Sequence, residues 1–503
     1  MIRKLGLLTL LFIAATHVFA QDKQKKLDEY FSALSQSQQF NGNVLIAENG
    51  KIVYEKSFGY ADFSEKRINT SQSSFPIASI TKTFTSTAIL QLKEKGKLQL
   101  NDPVSKFLPA FPYSDVTIRQ LLSHTAGLPI YDTLFYAMIA KHPDTVFSNT
   151  DLIPAFISQK VPLIFKPGED FSYNNVNYNI LALIVEKLTG LSFESYLKAH
   201  IFKPAGMKNT SLSLFFKRKD NNLSKRYRLK YPYSNKVERV DTTAEFKIIY
   251  SFNFQGHGDI ISTTHDLLKY DEALYNGILL SKATLKEAFS PVKLKNGKDN
   301  IQRYALGWIT KEDTSMGEIV KHDGGLPGGR TMLLRNITRH QTIIIFDNTA
   351  NNVIPISDNA LSILNGAIIE KPKQSGARIY GVSLAYNGLE AADRVLAKIK
   401  KDSLNYYLSE DEINSLGYAF MSSNKEFEAE TTFMLNMQLF PLSWNTYDSY
   451  AEILLKHGKK QDAIQMYRKS LELNPDNENG KKVLGQLLRY RFVHRVKKPI
   501  AFL

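Results

Sequence analysis

The 503-residue chain contains no cysteine. Disulfides, a thiol nucleophile, thiolate metal ligands and a lipid-modified N-terminal cysteine are excluded together. Its ten histidines form neither an HExxH pair nor a close cluster, so no metal and no cofactor is expected. There is no GxSxG elbow and no GxxxxGK[ST] loop, which argues against an α/β-hydrolase and a P-loop enzyme. After residue 20 no apolar run is long enough to span a bilayer. Acidic residues are the scarcer charge, 49 against 64 Lys and Arg. The excess base is dispersed rather than massed on one helix, so solvated surfaces are expected, not a nucleic-acid or membrane face.

Residues 1–20 carry what an export signal needs. Arg3 and Lys4 form the charged start, Leu5 to Ala15 an apolar core too short to span, and Val18-Phe19-Ala20 an approximate small-x-small cleavage site. A periplasmic or secreted protein without a stable membrane anchor is the expectation. The remainder is ordinary globular sequence, long enough for two or three domains.

The stretch Phe75 to Phe84 organises the rest. Pro76 and the small residues before Ser79 read as a loop. Ile80, Phe84, Ala88 and Leu92 then recur every four residues until Gly96 stops the helix. Lys82 lies one turn beyond Ser79 on the same helix face. A serine hydroxyl needs a base, and a desolvated lysine can be one. The helix N-terminus favours a developing oxyanion. Ser-x-x-Lys alone is a weak signal, and its meaning depends on partner motifs farther along the chain.

Helix is expected over residues 22–38. Strands are expected over Asn43–Ala47 and Lys51–Phe58, joined at Asn49-Gly50 by a type I′ turn. A short helix ends at Gly127 and contains His124, read as a buried brace between loops. Tyr173 and Asn175 lie on a loop just before a helix from about Asn177 to Leu188. Gly256 to Thr263 is a glycine-rich turn into a helix near Asp266–Ala273. Strands are expected next at Tyr304–Ile309, Gly317–His322, Arg330–Arg335 and Thr342–Asp347, with His322 to Gly329 as a joining loop and a helix near Ile356–Ile369. Lys371 to Gly376 reads as a linker. Beyond it Phe420, Ala429, Phe433, Leu439 and Pro441 recur as Leu454, Ala463, Tyr467, Leu473 and Pro475. The offset is that of a tetratricopeptide repeat, about 34 residues. The first-helix Trp and Gly of that repeat are missing, residues 382–408 read as a degenerate earlier repeat, and Lys481–Arg489 as a capping helix. The expected division is 1–20 signal, 21–370 catalytic domain, 371–376 linker and 377–503 helical repeats.

Three motifs stand in order: Ser79-x-x-Lys82, Tyr173-x-Asn175 and His322-x-Gly324. With the TIRQLLSHTAGLP, FSYNN and GHGDIISTTHDLLKY stretches, this resembles the class C-like branch of the serine β-lactamase/penicillin-binding-protein superfamily over about residues 30–365. The resemblance implies an α+β fold: a β-lactamase-like antiparallel sheet flanked by helices plus an all-helical domain, here followed by the helical repeats. It implies Ser79 as acylated nucleophile, Lys82 and Tyr173 sharing its proton, Asn175, His322 and Gly324 at the substrate, and the N–H groups of Ser79 and Gly325 as oxyanion hole. The third motif departs from the Lys-Thr/Ser-Gly of β-lactamases and transpeptidases. Its His-x-Gly form is common among esterase-like and D-aminopeptidase-like members, and a neutral imidazole beside an aspartate grips a carboxylate poorly. The expected function is therefore an exported serine hydrolase acting through an acyl-enzyme on an ester, amide or D-amino-acid peptide. A true β-lactamase or DD-peptidase is the alternative, and a non-catalytic repeat-based binding protein a second one. Expected partners are a small-molecule or peptide substrate and a protein docked on the repeats.

Overall fold

The computed structural model describes residues 21–142, 144–212, 220–243, 252–313 and 315–495. The segment read as an export signal, residues 1–20, and the last basic residues, Lys497 and Lys498, lie outside them. The chain divides into two compact units. One comprises the chain up to Arg228 together with Arg239–Glu370; the other comprises Leu229–Glu238 and the chain from Lys371 onward.

The first unit is built on six antiparallel strands: β1 (Gly42–Glu48), β2 (Lys51–Phe58), β3 (Ile309–Asp313), β4 (Gly317–Leu326), β5 (Gly329–Asn336) and β6 (Gln341–Asp347), in the order β3-β4-β5-β6-β1-β2. The β1–β2 turn has φ of 50° at Asn49 and 72° at Gly50, the left-handed pair that Asn-Gly supplies. β1 then pairs with the last strand, Val44 opposite Ile345, which closes the sheet from its two sequence ends.

One sheet face packs on helix α1 (residues 21–36) and α5 (Val353–Leu364), around the rings of Phe31, Phe40, Tyr54 and Phe58. The other face, through Leu45, Leu333 and Ile344, joins the larger core with α2 (Thr81–Glu94), α3 (Asn175–Thr189) and α4 (Thr264–Tyr275). Helix α2 is buried on every side from Thr81 to Leu92, not on an apolar stripe alone. Its hydroxyls make this tolerable by satisfying carbonyls and a phenol: Thr85 donates to Gly256 O (2.6 Å), Ser86 to Leu306 O (2.6 Å), and Thr87 meets Tyr270 Oη (2.9 Å). The fully buried Arg335 guanidinium is paired with Asp271, tying β5 to α4.

Two expectations need correction. The strand expected at Tyr304–Ile309 is displaced to Ile309–Asp313, because Gly307 turns the chain with φ of 88° and Tyr304 points into the core instead. The loop expected from His322 to Gly329 is mostly strand: β4 runs on through Leu326, and only Pro327-Gly328 forms the turn. Gly324 and Gly325 adopt no positive φ, so they act here through their lack of a side chain rather than through special backbone freedom.

The second unit is helical. Its main pairs are α6 (Glu410–Ser422) with α7 (Glu426–Leu439) and α8 (Trp444–Lys456) with α9 (Lys460–Leu473). A final helix spans Glu478–Arg495, longer than the expected cap. Ala429 and Ala463 are buried between paired helices. Gly417 lets α6 approach α7 closely: a Cβ there would stand 2.6 Å from the Phe433 ring. Leu229–Glu238 also belongs here, since Tyr233 stacks on Phe420 (4.3 Å between centroids), meets Ser423 Oγ at 2.5 Å, and Arg378 donates to Pro232 O at 2.9 Å.

Candidate active site

Ser79 sits in a single 3-10 turn, Ala78–Ile80, that runs directly into α2. Ala78 has φ of 49°, a left-handed conformation that costs a non-glycine residue of order 1 kcal/mol. The strain falls on the residue that presents the serine. The turn is seated against β4 and β5: Thr331 Oγ1 donates to Ile77 O at 2.9 Å. A Cβ on Gly324 would stand 2.3 Å from that same carbonyl and 3.0 Å from the Ala78 Cβ. Glycine is required at this position because the nucleophile turn touches the strand.

Lys82 is completely buried. Its Nζ lies 3.0 Å from Ser79 Oγ, 2.8 Å from Asn175 Oδ1 and 2.9 Å from the His257 carbonyl, with the Tyr173 ring centroid 4.8 Å away. Burial holds its pKa well below the ordinary lysine value, opposed by the charges of Asp323 and Asp259. A neutral amine has two N–H groups and one lone pair. The two strict acceptors, Asn175 Oδ1 and His257 O, take the N–H groups, which leaves the lone pair for the Ser79 hydroxyl.

Tyr173 is brought to the same point from the α3 side, partly exposed, its ring beside Lys82 Nζ and its phenol within the influence of Ser79. Desolvation pushes the phenol above its usual range, while the Ser79 hydrogen bond pulls it back. The structure thus favours phenol over phenolate. His124 grips both neighbours of Tyr173: Ser172 N donates to its carbonyl (3.0 Å) and Asn174 N to its Nδ1 (3.1 Å), while its ring lies 4.3 Å from the Tyr173 ring. Asn174 caps α3 through Val176 N and donates to Leu128 O, so the HTAGLP stretch and the Tyr173 loop are locked together.

His322 is buried and turned inward. Its Nε2 meets Tyr304 Oη at 2.8 Å and its Nδ1 meets Asp323 O at 2.7 Å. The Nδ1 contact is to a carbonyl, so Nδ1 carries the proton and Nε2 accepts from the phenol. Burial and then Lys82 hold the imidazole neutral, with Asp323 opposing. Both nitrogens are therefore engaged within the protein. The resemblance implies His322 at the substrate; here its ring is bonded to Tyr304 Oη and the Asp323 carbonyl.

The position of Gly325 follows from strand register. The two-residue turn Pro327-Gly328 makes Leu326 and Gly329 the closing hydrogen-bonded pair, so the next pair, Gly325 and Arg330, is a non-bonded one. The Gly325 N–H accordingly points away from β5. On that side β3 reaches only as far as Lys321, so the N–H faces an open edge beside the Ser79 turn.

Sequence reading did not single out Tyr304, His257 or Asp259. His257 acts through its carbonyl, which any residue would supply, so no side-chain signal exists. Asp259 is buried with Oδ2 unpartnered among the described residues, and desolvation pushes its pKa up to about 6.

Residues 27–366 match the family model described as Beta-lactamase. The chain is 40% identical to penicillin-binding protein 4* of Bacillus subtilis (strain 168) over 332 residues, 65% of this chain and 72% of that protein. It resembles the crystal structure of a penicillin-binding protein from Bacillus halodurans with a TM-score of 0.56 at 26% identity, covering 66% of this chain and 98% of the other. The D-amino acid amidase of Ochrobactrum anthropi SV3, at 21% identity and a TM-score of 0.55 over 69% of this chain and 97% of the other, shares the fold. Sequence, fold and site therefore agree that the chain belongs to the β-lactamase/penicillin-binding-protein-like family of serine hydrolases.

Proposed function

We propose that the protein is an exported hydrolase working through an acyl-enzyme on Ser79, with an ester, amide or D-amino-acid peptide as substrate. The observation that carries this reading is the set of contacts at Lys82 Nζ, which leaves a lone pair directed at the nucleophile. Ser79 Oγ attacks the substrate carbonyl carbon and its proton passes to Lys82. The carbonyl oxygen becomes an oxyanion held by the N–H groups of Ser79 and Gly325. As the intermediate collapses, the leaving group departs with a proton from the Tyr173 phenol, which Lys82 replenishes. Water then attacks the ester and the same pair handles its proton. Asn175 holds Lys82 and reaches the substrate amide.

β-Lactams and cell-wall peptides carry a carboxylate, and the third motif is poorly built to receive one. His322 offers no free nitrogen, and Asp323 beside it is anionic. A chromogenic cephalosporin is expected to be turned over with a kcat/KM at least tenfold below that of a short-chain p-nitrophenyl ester. A cephalosporin value equal to or above the ester value would make the β-lactamase reading the better one.

Export is supported by the composition of residues 1–20. In the described residues no helix is long and apolar enough to cross a membrane. Tetratricopeptide-like repeats in the second unit are supported by the helix starts, since an offset of about 34 residues separates Glu410 from Trp444 and Glu426 from Lys460. We propose that this unit docks a protein partner.

A further inference from the structure

The bend at residues 256–260 lies against both the nucleophile helix α2 and α3, and it is anchored at its two ends. The Gln255 carbonyl accepts from Asn179 Nδ2 on α3 at 2.7 Å. Ile260 N–H donates to Thr81 Oγ1 at 3.2 Å, and the Ile260 carbonyl accepts from Ile77 N–H at 2.9 Å, so this end is tied on either side of Ser79. Between the anchors two successive carbonyls turn to α2. Gly256 O accepts from Thr85 Oγ1 at 2.6 Å, and His257 O from Lys82 Nζ at 2.9 Å. Gly256 has φ of 98°, and a Cβ there would stand 2.6 Å from Tyr178 O, so the chain enters the bend hard against α3. One side chain closes the bend from within: Asp259 Oδ1 accepts from the N–H of Gly256, the residue just before His257, at 2.8 Å. The His257 ring is held separately, its Nδ1 accepting from Asn179 Nδ2 at 3.0 Å. Asp259 is buried, and its Oδ2 has no partner among the described residues. A buried oxygen without a hydrogen bond costs stability, so the carboxylate is held here at a cost to the fold.

We propose that Asp259 is a positioning residue for Lys82: by closing the bend through Gly256 N–H, its carboxylate keeps the His257 carbonyl on Lys82 Nζ. That carbonyl and Asn175 Oδ1 take the two N–H groups of the neutral amine. When the carbonyl turns away, the amine is free to rotate, and its lone pair no longer faces Ser79 Oγ. A misplacement of about 1 Å at such a point costs about 10²-fold in rate. The effect falls on the proton transfer and not on substrate binding. The inference rests on the hydrolase reading above and adds a residue that the three motifs do not contain.

Three variants of the full-length protein test this. The readouts are kcat/KM for a short-chain p-nitrophenyl ester, the rate of Ser79 labelling by a saturating fluorophosphonate, the concentration that gives half that rate, and thermal unfolding. Asp259→Ala and Asp259→Leu both remove the acceptor, and leucine keeps the shape of the side chain. In each, kcat/KM and the saturating labelling rate are expected to fall about 10²-fold, with the half-saturating concentration within about threefold of the wild type. Asp259→Asn keeps an oxygen for Gly256 N–H, and both rates are expected to stay within about fivefold of the wild type. An Asn variant as impaired as the Ala variant overturns the role of the bond to Gly256. Folded Ala or Leu variants with both rates within about threefold of the wild type overturn it, as does a loss confined to the half-saturating concentration. Failure of both to fold overturns it too, since Asp259 would then serve the fold alone. Each of these outcomes leaves the hydrolase reading standing. A wild type that neither turns over the ester nor is labelled overturns that reading and this inference with it.

Discussion

Replacing Ser79 by alanine is expected to lower kcat/KM for an ester by at least about four orders of magnitude, roughly 5 kcal/mol of transition-state stabilisation. The residue is half-buried at the surface of a turn, and among the described residues its hydroxyl is hydrogen-bonded to Lys82. Removing it should not disturb the fold, so thermal unfolding of the variant should match the wild type. The two measurements together matter. Lost activity with an unchanged melting temperature separates a missing nucleophile from a damaged site. Residual activity within about tenfold of the wild type would mean that another group performs the attack.

The second large effect is expected at Lys82. Loss of a general base costs about 10²- to 10⁴-fold, and Lys82→Met should fall in that range. Lys82→Arg is the sharper variant. Arginine keeps a cation near Tyr173 but cannot lose its proton at accessible pH. If Lys82 works as a neutral base, the Arg variant is as inactive as the Met variant. If it works as a fixed cation that holds a phenolate at Tyr173, the Arg variant keeps substantial activity. The pH dependence has a definite sign. Burial lowers the Lys82 pKa, so more of the amine is the neutral base than in an ordinary lysine, and activity falls as acid protonates it. Asp323 and Asp259 raise the Lys82 pKa, and burial pushes that of Asp259 up to about 6. Removing the negative charge with Asp323→Asn should therefore move the acid limb of kcat/KM to lower pH. A shift to higher pH would contradict the assignment of that limb to Lys82.

The legible parts of the sequence were those with local causes. The Asn49-Gly50 turn needs two positive φ angles and names the residues that allow them. The helix expected from about Asn177 begins two residues earlier as α3, at Asn175, because the Asn174 side chain accepts from Val176 N–H, and it ends at Gly190 with φ of 69°; the Ser79 helix shows its four-residue period and Gly96. The less legible parts depend on contacts distant in sequence. His322-Asp323-Gly324-Gly325 reads as a loop because glycine is rare inside strands. They are extended because they continue the ladder with β5, and Gly324 is glycine because the Ser79 turn, some 240 residues earlier in the chain, leaves no room there for a side chain. Tyr304 reads as a strand residue by its β-propensity, yet it is held by His322. The place of Leu229–Glu238 in the helical unit depends on Tyr233 meeting Phe420, a pairing that no periodicity encodes. Each motif needs only its own few residues, and the fold brings Ser79, Lys82, Tyr173 and Asn175 together.

The central claim is that Ser79 carries the acyl group, and intact-mass spectrometry after exposure to a fluorophosphonate tests it most directly. The wild type is expected to gain one phosphonyl adduct, mapped to the peptide containing Ser79, while folded Ser79→Ala gains none. Equal labelling of the two proteins, or an adduct mapped elsewhere, would contradict the account.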